Sequence, residues 1–248
     1  MGRARVTAHQ TTAGRRLPPH RGSAVRRDRG TARQLPRRRP PRVCRRLEQT
    51  ALDLPRGAPP MTDDTTLAGL HARLSARADA EGLLDVAYRT VDTPVGTLLL
   101  AATPAGLVRV AYDIEDHTAV LTTLATRISP RILRAPHRLD TAARQLDEYF
   151  AKRRTAFDVP IDLRLAEGFR RDVVEQLRTI GYGQRASYAA VAAAVGNPRA
   201  VRAVGSACAH NPLPVVIPCH RVVRSDGTAG QYVGGSAAKA ALLRLERE

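Results

Sequence analysis

The sequence predicts an α+β protein in which a small antiparallel sheet precedes a helical carboxyl-terminal half. Three short apolar or β-branched runs, Val86–Val91, Gly96–Thr103 and Gly106–Tyr112, are separated by turn residues. This pattern is typical of antiparallel strands joined by tight turns. Beyond residue 160 the apolar residues recur at helical spacing, which predicts helices in the rest of the chain.

Residues 1–60 differ from the rest of the chain in composition. They contain 16 arginines, no lysine and three acidic residues, so much of the formal net charge of +17 lies there. We predict a disordered Arg/Pro-rich tail, because the segment lacks the apolar residues that offset the entropy of ordering. It is either a basic arm that follows DNA phosphates or GC-rich sequence translated ahead of a true start at Met61. Composition favours the second interpretation, so the charge alone is no argument for nucleic-acid binding.

Cysteine usage and hydropathy indicate the compartment. Cys44, Cys208 and Cys219 are an odd, scattered set, which is not a disulfide framework and suits a reducing cytosol. No run approaches the length of a transmembrane helix, and the amino terminus lacks the apolar core of a secretory signal. We therefore expect a protein of the bacterial cytosol that acts at the nucleoid and contacts no membrane.

The elements predict four segments along the chain. After the tail, residues 61–82 form a linker or short helix, and residues 83–160 form the sheet domain. That domain ends with a helix that carries Leu139, Ala143, Leu146 and Phe150 on one face. Residues 161–248 form the helical domain.

Two helices joined by a tight turn are predicted inside the helical domain. They are preceded by another helix, which carries Phe169, Val173, Leu177 and Ile180 on one face. The first helix of the pair begins at its N-cap Ser187 and stops at Gly196. Asn197-Pro198 then predicts an immediate restart, giving a helix at Pro198–Ala209 and a helix-turn-helix.

Small residues dominate this second helix, apart from Arg199 and Arg202. Gly205 in its interior costs about 1 kcal/mol relative to alanine, so it requires a reason. Either the helix presents a slim surface that enters a DNA groove, or glycine allows close packing on a neighbouring helix. The spacing leaves both explanations open.

Cys219 and His220 are the candidate reactive pair. They follow the apolar run Val215–Ile217, which predicts a buried extended segment, with Pro218 at its end. A thiol reacts as its thiolate, and an adjacent imidazole can take its proton. An isolated Cys-His pair can equally be a buried structural cysteine beside an incidental histidine.

The residues around Cys219 and His220 argue against two kinds of metal site. A nucleobase deaminase needs a second cysteine three positions on, where Val222 stands, and an upstream His-x-Glu that the chain lacks. A zinc site would have only Cys208 and His210 as nearby further ligands. The sequence therefore predicts no metal.

The surroundings of Cys219 carry a family resemblance. The relevant pieces are, in chain order, Ser187-Tyr188, Gly196-Asn197-Pro198, Arg202-Ala203-Val204-Gly205, Asn211-Pro212, Pro218-Cys219-His220-Arg221-Val222-Val223, Gly230-Gln231-Tyr232-Val233-Gly234-Gly235, Lys239, Leu242-Leu243 and Glu246. In order and spacing this stretch resembles the O6-alkylguanine-DNA alkyltransferases, or methylated-DNA–protein-cysteine methyltransferases. The Pro-Cys-His-Arg-Val block is highly specific to them, whereas residues 1–60 resemble nothing in the family.

The resemblance implies a ribonuclease-H-like sheet domain followed by a winged helix-turn-helix domain that binds double-stranded DNA containing O6-alkylguanine. The second helix would lie in the minor groove, with its small residues Ala203, Gly205 and Ser206 against the DNA. Arg202 would fill the space of the flipped nucleotide, and Tyr188 would press the adjoining phosphate and hydrogen-bond the guanine.

The resemblance also implies the chemistry: one irreversible alkyl transfer per molecule to Cys219, without a cofactor and by a monomer. Glu246, His220 and a bridging water would form a proton relay to the thiol. Glu246 would stand near the end of a last helix that is capped by Ser236, and Asn211 would fix the turn before the cysteine. The base pocket would be formed by Val222, Tyr232, Val233 and Lys239. Repair of O4-methylthymine is left open.

Two rival classes are weaker. A non-catalytic alkylguanine-binding protein that recruits other repair factors would lack the nucleophilic cysteine, whereas Cys219 is present. A plain helix-turn-helix regulator would have no use for His220 and Glu246 at these spacings.

Overall fold

The computed structural model describes residues 64–247, so the predicted tail, Cys44 and the proposed start at Met61 lie outside the described residues. A helix, α1 (Asp64–Ala80), occupies the segment predicted as a linker or short helix. The three predicted strands are confirmed as β1 (Val86–Thr93), β2 (Gly96–Thr103) and β3 (Gly106–Tyr112). Each pairs antiparallel with the next.

A fourth strand completes this sheet. After α2 (His117–Arg127), β4 (Ile132–Arg134) pairs parallel with β1 and gives the strand order β3-β2-β1-β4. The sequence did not predict β4, since a three-residue strand is too short to show a period. The helix predicted around Ala143 and Leu146 is α3 (Asp140–Phe150).

Both faces of the sheet are covered. Alternate residues of β2 point to opposite sides, so Leu99 packs with Val120 and Leu124 of α2, whereas Leu98 and Leu100 face α3. The core on the α3 side continues without a break into the helical domain. The sheet domain therefore supports the helices that carry the site.

The helical domain follows in short elements. They are α4 (Phe169–Leu177), β5 (Ala186–Ser187), α5 (Tyr188–Ala194), α6 (Val201–Ala209), β6 (Val222–Val223) and α7 (Gly235–Leu245). Ser187 caps α5 as predicted, because its side chain accepts the Ala190 N–H at 3.0 Å. β5 and β6 form a parallel pair.

Four local predictions are wrong. The second helix of the pair begins at Val201, not at Pro198, because Asn197–Ala200 form a turn closed by the Ala200 N–H to Asn197 carbonyl bond of 2.9 Å. Ile180 lies beyond the end of α4 at Leu177. Ser236 does not cap the last helix, because the Gly235 N–H bonds to the Tyr232 carbonyl and leads straight into α7, which leaves Ser236 inside the first turn.

The fourth correction concerns the run before the cysteine. Val215 and Ile217 are buried as predicted and Val216 is partly buried, but the run forms a turn rather than an extended segment. Val215 has φ 71°, and the Ile217 N–H bonds to the Leu213 carbonyl at 2.7 Å. The β-branched side chains therefore fill the core from a turn, which sequence periodicity does not distinguish from a strand.

Candidate functional site: a buried thiol, an imidazole and a carboxylate

Cys219 opens a single 3-10 turn, Cys219–Arg221, that leads into β6. Its side chain lies in the main core and the residue is 2% exposed. The Cys219 N–H bonds to the Ile217 carbonyl at 2.8 Å, which ties the nucleophile to the preceding turn. The thiol is thus fixed in place and closed off from bulk solvent.

Asn211 braces that preceding turn from within. Its Nδ2 donates to the Ile217 carbonyl at 2.9 Å, and its Oδ1 accepts the Leu213 N–H at 3.0 Å. The side chain is 1% exposed, so both bonds form away from competing water. Asn211 thereby links the end of α6 to the segment that presents Cys219.

His220 and Glu246 form a buried pair beside the thiol. The Nε2 atom of His220 lies 2.9 Å from Oε1 of Glu246, and the two residues are 0% and 6% exposed. An ionised carboxylate accepts only, so Nε2 carries the hydrogen and Nδ1 keeps its lone pair. Nδ1 is buried and hydrogen-bonds to none of the described residues. The imidazole therefore keeps one nitrogen that can take a proton.

Three further groups hold Glu246, and the sequence reasoning assigned none of them. Arg221 donates Nη2 and Nε to the carboxylate at 2.8 and 2.9 Å. The Tyr149 hydroxyl donates to Oε1 at 2.7 Å, and the Gly183 N–H reaches Oε2 at 3.3 Å. Arg221 could have been found, since a buried arginine in a motif needs a carboxylate. Nothing in the sequence links Tyr149 to Glu246, because Tyr149 lies in the other domain.

Burial sets the resting protonation states. Desolvation raises the pKa of the Cys219 thiol to about 11, although the Asn211 hydrogen bond and the Lys239 charge lower it in part. Burial also lowers the pKa of His220, against the opposing effect of Glu246. Burial alone would raise the pKa of Glu246, but bonds from His220 and Arg221 outweigh it and hold the pKa at about 2. At neutral pH the site therefore contains a thiol, a neutral imidazole and a carboxylate.

Lys239 is buried in the first half of α7. Its Nζ donates to the Val222 carbonyl at 2.7 Å and lies 6.0 Å from the centre of the Tyr188 ring. Its charge favours a thiolate at Cys219, as noted above. Lys239 thus joins β6 to α7 and contributes a positive potential near the nucleophile.

Tyr232 and Val233 lie in the turn before α7 and are partly buried. The Tyr232 hydroxyl is 3.1 Å from that of Tyr112, and the two rings meet edge to face at 5.7 Å. Tyr112 belongs to β3, so the sheet domain supports this side of the site. An added Cβ at Gly234 would lie 2.6 Å from the Tyr112 ring, which explains why glycine follows Val233.

The exposed face of α6 borders a surface cavity of about 300 Å³. Its lining residues are Tyr188, Val201, Arg202, Gly205, Ala209, Arg224, Gly230 and Gln231. Arg202, Ala203 and Ser206 are exposed. A Cβ at Gly205 would have no neighbour within 4 Å, so close helix packing is not the reason for this glycine. The open space beside Gly205 favours the slim-surface explanation.

Tyr188 closes the inner end of this cavity. A Cβ at Gly230 would lie 2.4 Å from the Tyr188 hydroxyl, so the loop at Gly230 rests directly on that ring. The electrostatic influence of Cys208 and Cys219 reaches Tyr188, whose pKa is raised first by burial. Tyr188 therefore contacts the Gly230 loop and lines the cavity beside α6.

Metal binding and membrane insertion can be checked against the same described residues. Within residues 64–247, no three His, Cys, Asp or Glu side chains cluster as metal ligands. Over the same range, no helix is both long and apolar enough to cross a bilayer.

Comparison with known proteins decides the family. Residues 168–248 match the model of the 6-O-methylguanine DNA methyltransferase DNA-binding domain, and residues 86–163 match that of the corresponding ribonuclease-like domain. A methylated-DNA–protein-cysteine methyltransferase of Mycolicibacterium paratuberculosis is 41% identical over 65% of this chain and 93% of its own length. This chain belongs to the methylated-DNA–protein-cysteine methyltransferase family.

Other relatives agree with this assignment. The constitutive methyltransferase of Bacillus subtilis is 38% identical over 64% of this chain and 94% of its own. The structure of Mycobacterium tuberculosis OGT in complex with DNA is 38% identical, with a TM-score of 0.57 over 65% of this chain and 92% of that one. The expected α+β fold, a ribonuclease-like domain followed by a DNA-binding domain, is confirmed in this methyltransferase.

Proposed function

We propose that this protein repairs DNA by direct reversal, moving the alkyl group of O6-methylguanine irreversibly onto Cys219. The observation that carries the proposal is the buried set of Cys219, His220 and Glu246, in which His220 bonds to Glu246 through Nε2 and keeps Nδ1 for a proton. Duplex DNA is the partner expected of a chain with this DNA-binding domain.

The transfer is a displacement at the alkyl carbon. A sulfur–carbon bond forms as the carbon–oxygen bond to guanine breaks, and guanine departs with that electron pair. The thiol proton passes to Nδ1 of His220 through a bridging water. The departing guanine takes one proton by way of the Tyr188 hydroxyl and solvent, and His220 returns its proton to solvent, so the proton that the thiol loses balances the one that guanine gains. The raised pKa of Cys219 means that the thiol must lose its proton during the reaction, so a neutral imidazole is the required base.

Glu246 stabilises the imidazolium that forms. A carboxylate bonded to Nε2 fixes the tautomer and favours a positive ring, as in other sets of nucleophile, base and orienting acid. Because the pKa of Glu246 is held at about 2, it stays ionised throughout the working range. Lys239 adds a positive charge that favours the developing thiolate.

DNA would bind along α6. The exposed small residues Ala203 and Ser206 and the open space at Gly205 suit a close approach to a minor groove, with Arg202 as the long side chain that replaces the flipped base. Extrusion of a base costs a few kcal/mol and is easiest at a weakly paired lesion.

The extruded guanine would enter past Tyr188. The Tyr188 hydroxyl keeps its proton because burial raises its pKa, which suits a donor to the departing base. Since Cys219 is 2% exposed, the side chains that cover it must separate to admit the base. Tyr232 and the Val222 and Val233 backbone would then line the pocket.

A single chain would suffice, and the product would end its activity. Every group in the relay comes from one copy of the chain, in keeping with a monomer. The free thiols of Cys208 and Cys219 suit a reducing cytosol. A thioether has no easy route back to a thiol, so each molecule would act once.

Stoichiometry tests this proposal. The full chain is incubated with a several-fold excess of duplex DNA bearing one O6-methylguanine, and the loss of the modified base is measured over time. We expect an amplitude of one base per protein with no later turnover, and no loss with Cys219→Ser. The matched control is Cys208→Ser, which removes the other thiol within residues 64–247 and should keep the full amplitude. Continued turnover, or repair by Cys219→Ser, would overturn the proposal.

A further inference from the structure

Tyr149 reaches the relay from outside the domain that carries the cysteine. It lies in the last turn of α3, within residues 86–163 that match the ribonuclease-like domain. Its side chain is fully buried, and its hydroxyl donates to Glu246 Oε1 at 2.7 Å. Ninety-seven positions of sequence separate the two residues.

The same carboxylate oxygen serves His220. Glu246 Oε1 accepts the Nε2–H of His220 at 2.9 Å as well as the Tyr149 hydroxyl. Arg221 also holds the carboxylate, through Nη2 on Oε1 at 2.8 Å and Nε on Oε2 at 2.9 Å. The orientation of Oε1 toward the imidazole is thus a balance between these donors.

The ring of Tyr149 is held by aromatic packing that does not involve Glu246. It packs edge-on against Phe150 and Tyr182, at centroid distances of 5.3 and 6.1 Å, and at a tilt against Phe157 at 5.3 Å. Burial first, and then the Glu246 charge, raise the pKa of Tyr149, so the hydroxyl stays a donor. The sheet domain therefore offers Glu246 one rigid donor at a defined point.

We propose that Tyr149 is a positioning residue for the proton relay, through which the ribonuclease-like domain holds Glu246 Oε1 toward His220. The inference rests on the proposed function, because the relay acts only if Cys219 accepts an alkyl group. Without the Tyr149 hydroxyl, Oε1 is held less firmly toward His220, and the imidazolium loses part of its stabilisation. His220 then becomes a weaker base for the thiol proton.

Several other charged or titratable groups surround this pair. Glu246 faces His220 and Arg221 from the cysteine segment, Tyr149 from α3, and Tyr182 from the loop after α4. His220 also feels the charge of Lys239 on α7 and meets the Tyr232 ring at 6.3 Å. Removing the Tyr149 hydroxyl deletes none of these other groups.

Tyr149→Phe is the test, because it keeps the ring packing and deletes one hydroxyl. The rate of a single methyl transfer to the full chain is measured from pH 5 to pH 8. We expect a plateau about ten-fold lower, at the low end of what the loss of a hydrogen bond to a charged group costs. We also expect the acid limb to move down by about half a pH unit, because His220 loses its stabilising carboxylate.

Tyr182→Phe is the matched control. Its hydroxyl donates to the Leu245 carbonyl at 3.1 Å in the same cluster, not to the carboxylate. Its rate and acid limb should match those of the parent chain. In a Glu246→Gln background, Tyr149→Phe should have no further effect on the rate, because the residue acts through that carboxylate.

The outcomes separate the two claims. If the parent chain transfers no methyl group, the proposed function fails. If it does, and Tyr149→Phe keeps the parent rate and acid limb, the positioning role is overturned. A slower rate with an unmoved acid limb, or an undiminished effect in the Glu246→Gln background, also overturns it, because either result indicates loss of packing alone.

Discussion

His220 Nε2 and Glu246 Oε1 lie 2.9 Å apart with both side chains removed from solvent, and this bond decides which imidazole nitrogen can serve the thiol. The bond keeps the hydrogen on Nε2, so that Nδ1 carries the lone pair that can accept a proton. The relay follows from this tautomer, because Nδ1 can then take the thiol proton.

Glu246→Gln tests the charge on the relay. The amide keeps the shape of the side chain but cannot stabilise an imidazolium, so we expect the methyl transfer rate to fall by about 100-fold, at the lower end of general acid–base contributions. Single-turnover kinetics at pH 7.5 measure the effect. Glu148→Gln is the control, since Glu148 pairs with Arg144 and Arg154 in the sheet domain. Equal rates for the two variants would contradict the role of Glu246.

The stability of the fold should depend on the same carboxylate at acid pH. The pKa of Glu246 falls from 4.5 to about 2 on folding, so its contribution is complete above pH 4.5 and is lost as pH falls toward 2. A shift of this size corresponds to about 3 kcal/mol. Urea unfolding of the parent chain and of Glu246→Gln at pH 6, 4 and 3 should show a gap that narrows with falling pH. A gap that is independent of pH would contradict this assignment.

Gly205→Ala should separate stability from DNA binding. Alanine favours a helix by about 1 kcal/mol over glycine, and its Cβ would meet no neighbour in α6, so the melting temperature should rise. The added methyl group would stand in the cavity beside Arg202, so affinity for duplex DNA should fall.

Gly69→Ala is the control for that experiment. Gly69 lies inside α1, where a Cβ also has no neighbour within 4 Å. We expect similar stabilisation without any change in DNA affinity, as measured by fluorescence anisotropy. Unchanged DNA affinity in Gly205→Ala would show that the α6 surface does not approach DNA at this point.

Gly230→Ala should impair transfer by displacing Tyr188. The new Cβ would lie 2.4 Å from the Tyr188 hydroxyl and 3.0 Å from its ring, so the ring or the loop must move. We expect a transfer rate at least about ten-fold lower, the equivalent of 1.4 kcal/mol in the barrier. Gly181→Ala is the control, since its nearest contact is the flexible Gln184 side chain at 3.3 Å. A parent-like rate in Gly230→Ala would argue against a role for Tyr188.

The sequence predicted the elements with a clear period or cap. Strands β1 to β3 and the Ser187 cap of α5 are confirmed, because alternation and capping are local properties of the chain. The predicted start of α6 is wrong, since Asn197-Pro198 suits a turn as well as a helix start. The buried turn at Val215 was also missed, because a left-handed valine depends on tertiary packing.

The residues of the candidate site also fall into those that the sequence identifies and those that only the folded structure brings together. Cys219, His220 and Glu246 could be found because the motif places them at fixed spacings within one domain. Tyr149 and Tyr112 could not, since each comes from the sheet domain and only the folded chain brings it to Glu246 or Tyr232. The sequence predicts Lys239 in the base pocket, and the structure adds that its amine bonds to the carbonyl of Val222, another predicted pocket residue.

The most direct test of the central claim is to locate the alkyl group on the protein. The full chain is reacted with duplex DNA bearing O6-methylguanine, digested, and mapped by mass spectrometry. We predict that the peptide containing Cys219 gains the mass of one methylene, in proportion to the base repaired, while the peptides containing Cys208 and Cys44 stay unchanged. Repair that leaves the Cys219 peptide unmodified, or places the methyl group on another residue, would contradict the account.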